Sequence, residues 1–147
     1  MDDFETTMII TALVLGGIGS LILAVLHGFG FNLFGFKSNK PGFWKRFVFQ
    51  VASSVIAYGV YYLIGEILVS SENGGASAMA SVMEAGPVGM FLIIALVTSL
   101  IYHVSLGAAT YLLGSKSINV AIKSPILCTA VVFVLMALPA IILMFNS

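Results

Sequence analysis

Few side chains in this 147-residue sequence are able to do chemistry, and those few stand apart from one another. His103 is the titratable group set well inside an apolar run, and the second histidine, His27, closes an earlier run. An ionisable residue at such depth serves as a relay, a ligand or a proton acceptor, although a hydrogen-bonding post between helices is the commoner use. A bis-histidine haem would need His103 and His27 together as axial ligands. That is the weaker reading, and no cofactor is expected. Cys128 lies alone in an apolar run, where a thiol acts as a small hydrophobe. One cysteine makes neither an internal disulfide nor a cysteine metal cluster. Glu66 approaches the opposite end from His103, about 20 Å away in depth, so the two do not pair. Hydrolysis would need paired carboxylates, a nucleophile with its base, or clustered metal ligands. No such set shares a depth here, so the expectation is a protein without catalytic residues or metal ligands, and not an enzyme.

The elements that must carry these residues are legible from composition. Hydrophobic residues make up 60% of the chain and charged residues 8%, with a mean hydropathy of +1.12. A soluble domain carries roughly a quarter charged residues to keep its surface wet. The apolar remainder must therefore face lipid. The zero net charge and the lack of a glycine-rich phosphate loop give nucleic acid no footing. Four apolar runs fall at about 6–27, 47–69, 87–113 and 125–145. Each approaches or exceeds the ~20 residues that cross a hydrocarbon core. The expected fold is all-α: one polytopic domain over 1–147, with four transmembrane helices in a bundle. Pro87 and Pro125 suit first turns, and Pro139 should bend the fourth span.

Charge sets the expected orientation. Lys37, Lys40, Lys45 and Arg46 lie between the first two spans, and Lys116 and Lys123 between the last two. The six acids lie toward the other side. Positive loops stay in the cytoplasm, so both termini are expected on the non-cytoplasmic side of a bacterial inner membrane or another cellular membrane. The acidic head of the first run argues against a cleaved signal peptide.

Three groups of residues are candidates for contact. Ala12, Gly16, Ser20, Ala24 and Gly28 repeat at every fourth position and would let another helix approach closely. Ser54 and Tyr58 on the second span, with Ser99 and His103 on the third, form polar seams inside the membrane. His103 and Tyr58 lie at similar depth, about 15 Å in, within reach of a bond across the bundle. The segment 28–46 interleaves aromatics with Lys37, Lys40, Trp44, Lys45 and Arg46, a mixture suited to anionic headgroups or a partner.

From Pro87 to Ile142 the order of short motifs resembles the Yip-type membrane domain. The carriers are Tyr102-His103-Val104-Ser105-Leu106, Leu112-Leu113-Gly114-Ser115-Lys116, Ala121-Ile122-Lys123-Ser124-Pro125 and Leu138-Pro139. Pro41 to Phe47 loosely resembles the segment that enters that domain. The resemblance covers about residues 41–142 and implies a non-enzymatic, membrane-organising protein. Such domains usually have five spans and a cytoplasmic head, whereas four spans are read here. Three functions follow in order: an accessory subunit of a membrane complex or a small homo-oligomer, an oligomeric channel or transporter component, and a Yip-like organiser. The expected partners are membrane lipids and other membrane subunits or copies of the same chain.

Overall fold

The computed structural model describes residues 3–70, 80, 84 and 86–145. Among the described residues the structure is helical, without strands: α1 Asp3–Leu33, α2 Phe43–Ser70, α3 Gly86–Leu113, α4 Ile118–Lys123 and α5 Ile126–Phe145, with a 3-10 turn at Lys37–Asn39. Helix is the natural outcome for such runs, because lipid offers backbone N–H and C=O groups no partners. Among the described residues, four stretches are long and apolar enough to cross a membrane: Gly16–Leu33, Phe43–Ile64, Gly86–Leu113 and Ile118–Phe145. The last takes in both α4 and α5, which meet at Ser124 and Pro125.

Packing runs in a cycle. α1 lies on α2, α2 on α3, α3 on α5, and α5 returns to α1, while α4 rests on α3 and α1. The α1–α2 and α3–α4 connections come together at one end, where Asn39, Pro41, Lys45, Gly114 and Ser115 line a polar cleft of about 240 Å³. The six basic residues therefore gather at that end of the molecule.

α1 continues to Leu33, beyond the expected end at 27, and α2 begins at Phe43, before the expected start at 47. Most of the segment 28–46 is thus helix. α1 stops in a hydrogen-bonded cap: Phe36 N donates to Phe31 O at 2.8 Å and Gly35 N to Asn32 O at 3.2 Å. Gly35 has φ +77°, the left-handed conformation that this cap requires and that glycine adopts without strain.

The joint between α4 and α5 follows from Pro125. Proline has no N–H, so the Ala121 carbonyl loses the donor a continuous helix would supply. Ser124 keeps αR geometry and its N–H reaches Val120 O at 3.0 Å, so the chain bends without unwinding. Two glycines on other helices lie against this joint. A Cβ at Gly30 of α1 would stand 2.2 Å from Ser124 O, and one at Gly107 of α3 would stand 2.9 Å from Ala121 O. Each glycine lets its helix touch the joint backbone to backbone, the kind of close approach that stabilises helix pairs in lipid.

Candidate functional site

The buried polar residues form a core near the basic end, and one hydrogen-bonded cluster draws on all four long helices. Gln50 of α2 donates through Nε2 to Leu23 O of α1 at 3.5 Å, and Tyr102 of α3 donates its hydroxyl to Gln50 Oε1. The Cys128 thiol of α5 donates to the same Leu23 carbonyl at 3.4 Å. Phe49, Leu106, Ala109 and Cys128 are the buried apolar residues around it, with Leu23, Leu26 and Ile56 packed alongside. Ser53 and Ser54 return their hydroxyls to Gln50 O, at 2.8 and 3.0 Å, and so need no other helix.

One layer nearer the basic end, His27 is fully buried and its Nε2 shares a 3.1 Å hydrogen bond with Ser124 Oγ at the α4–α5 joint. The rings of Phe31 and Phe49 lie 5.1 and 6.3 Å from the imidazole. Nδ1 has no hydrogen-bond partner among the described residues, as is also true of Ser105 Oγ. Beside His27, Arg46 turns inward. Its Nε donates to Ala24 O at 3.0 Å and its Nη1 to Pro41 O at 2.9 Å, so one guanidinium joins α1, α2 and the connection between them. Gly28 makes this geometry available: a Cβ there would stand 2.7 Å from the guanidinium carbon. Charged donors to backbone carbonyls are among the stronger hydrogen bonds, about 1.5–3 kcal/mol each.

On α3, His103 reaches Thr129 rather than the second span. Its Nδ1 lies 2.8 Å from Thr129 Oγ1, and Thr129 in turn donates to Pro125 O at 3.1 Å. Tyr58, expected at His103's depth and within reach of it, points away and is 75% exposed. Both histidines thus hold the same joint, His27 from α1 and His103 from α3. Farther along, Tyr61 donates to Thr98 Oγ1 at 2.6 Å and Ser99 to Leu96 O at 2.9 Å.

The small-residue positions of α1 divide into two halves. Ala24 and Gly28 are buried against Arg46 and its surroundings, and Ser20 is half-buried. Gly16 is exposed, with nothing within 4 Å of a Cβ built on it, and the same open space surrounds Gly17 and Gly19. The side chain of Ala12 lies outside the described residues. Of the basic and aromatic candidates, Lys37, Lys40, Trp44 and Lys45 are exposed, and Lys40 Nζ donates to Asn32 Oδ1 at 3.4 Å. Arg46 departs from that group. It is 8% exposed and bonds the helix backbones instead of facing a headgroup or a partner, because Gly28 leaves it a place to go.

Gln50 and Ser124, which the sequence reading does not single out, build the core together with Tyr102, His27 and Cys128. Gln50 is the sole glutamine of the chain, and an amide inside an apolar run is the signal that could have found it. Among the described residues no three His, Cys, Asp or Glu side chains converge. Chemically, the arrangement holds backbone carbonyls and helix crossings in place. The four motif segments that carry the Yip-type resemblance lie on α3, α4 and α5 and their connections, and Tyr102, His103, Ala121, Ser124 and Pro125 from them meet at this core. No protein-family model matches this chain, and neither a curated protein nor a solved structure matches it.

Proposed function

We propose that this chain is a non-enzymatic multi-pass membrane protein that works as a packed subunit, within a larger membrane complex or as a small homo-oligomer, with both termini on the non-cytoplasmic side. The observation that carries the reading is the contrast between the two halves of α1. Toward the basic end its glycines are filled by Arg46 and the α4–α5 joint, while Gly16, Gly17 and Gly19 stand open. Glycines give a lipid tail little to pack on, but they admit another helix closely.

The neighbouring helix adds support. Tyr58 lies about 22 Å along α2 from Phe43, well inside a ~30 Å hydrocarbon core. No described residue takes its hydroxyl, and a polar group in hydrocarbon gains from a partner helix. The polar core serves this role by keeping the four helices in register beneath the open surface.

The test is the mass and composition of the particle taken from its native membrane into nanodiscs, for the wild type and for Gly16→Leu. The reading expects a particle larger than one chain, with Gly16→Leu shifting it toward the single chain. A wild-type particle of one chain at every concentration would sink it.

A further inference from the structure

The face between α3 and α4 carries an open groove of about 590 Å³ lined mainly by apolar atoms. Val104, Ala108 and Tyr111 form one wall, and Ile118 and Ile122 the other, with His103 at the deep end. His103 also borders a second groove of about 470 Å³ between Leu100 and Phe133, so the furrow continues past it. From Leu112 to His103 the first groove covers about 13 Å of helix, close to the ~15 Å depth of one leaflet.

The shallow end is basic. Lys116 Nζ donates to Leu112 O at 2.9 Å and stands 5.6 Å from the centre of the Tyr111 ring. Leu112 and Tyr111 both line the groove, so the ammonium is seated on its rim by the groove's own residues. Lys123, exposed in the last turn of α4, follows Ile122 and lies deeper than Lys116, because Ala121 two residues before it abuts Gly107. Neither lysine has a carboxylate partner among the described residues, since the acids lie toward the other end. The groove therefore joins a leaflet-deep apolar channel to an uncompensated cation seated on its shallow rim.

We propose that this groove binds an anionic phospholipid of the basic-side leaflet, with an acyl chain along α3 toward His103 and the phosphate at Lys116. A zwitterionic lipid would fill the channel without answering the Lys116 charge. A lipid adding one negative headgroup answers both requirements at once. This site lies on α3 and α4, away from the open glycines of α1, and stands independently of the subunit reading.

The experiment uses the full chain in nanodiscs of phosphatidylcholine containing trace photoactivatable phosphatidylglycerol or phosphatidylcholine, diazirine in the acyl chain, with labelled peptides mapped by mass spectrometry. Phosphatidylglycerol is expected to label residues within 100–122 preferentially. Lys116→Gln should reduce that preference about five-fold, leaving phosphatidylcholine labelling unchanged. Ala108→Phe, which fills the channel, should lower labelling by both lipids. Equal labelling of the wild type by the two probes would overturn the proposal, as would label spread evenly over all the helices. Cross-linking of a second copy at Ile118–Ile122 in place of lipid would assign the groove to a protein partner and overturn it as well.

Discussion

Gly30 and Gly107 contribute no side chain, yet they set how closely α1 and α3 approach the α4–α5 joint. In Gly30→Ala the new methyl would lie 2.2 Å from the Ser124 carbonyl, and backbone on both sides cannot step aside cheaply. Overpacking of this kind costs about 1–3 kcal/mol. Gly16→Ala meets open space and should be neutral within the single chain. Unfolding in mixed micelles at rising SDS fraction checks the pair: Gly30→Ala should unfold early and Gly16→Ala with the wild type. Equal midpoints would show that the α1 crossing is looser than the geometry describes. Arg46 makes the same point about residue type. It reads in sequence as a loop cation beside Lys45, and its inward turn depends on the bare Cα of Gly28, distant in the chain.

Among elements, the cluster of Leu23 O, Gln50, Tyr102 and Cys128 ties four helices at one depth. Its members are not equivalent. Tyr102→Phe removes one hydrogen bond, and intramembrane bonds of this kind average only ~0.6 kcal/mol. Gln50→Leu removes two and leaves the Tyr102 hydroxyl buried without its acceptor, a loss of about 1–3 kcal/mol. The expected order of stability is wild type, Tyr102→Phe, then Gln50→Leu, and the double variant should recover part of the Gln50→Leu loss. The same SDS titration reads all four proteins; a double variant that simply adds the two losses would show the groups to be uncoupled. Some elements were plain in the sequence and some were not. Four strongly apolar runs of bilayer length leave little freedom, so the spans could be read directly. α4 could not, because six residues from Ile118 to Lys123 are too few to show a period, and its place depends on Pro125 and on glycines from two other helices.

For the molecule as a whole, the buried core was less legible than its frame. His103 was found by type, but its partner Thr129 is set by the α3–α5 crossing, which no spacing within α3 reveals. Seams at helical spacing located polar residues without saying which faced inward: Ser99 is buried, while Tyr58 faces out. The gathering of basic residues at one end supports a topology that labelling can test. With Cys128 replaced by Ser, Asp3→Cys should react with an impermeant maleimide in intact cells, and Lys37→Cys only after the membrane is opened. The reverse pattern would invert the orientation.

The α4–α5 joint has a consequence for how the chain tolerates change. Gly30 and Gly107 meet it through the carbonyls of Ser124 and Ala121, atoms that every amino acid possesses. The instructions for this bend are thus written largely in helices other than the one that bends. In a saturation library, part of the intolerance belonging to residues 121–125 should surface as vacant columns at positions 30 and 107, where nothing larger than hydrogen fits.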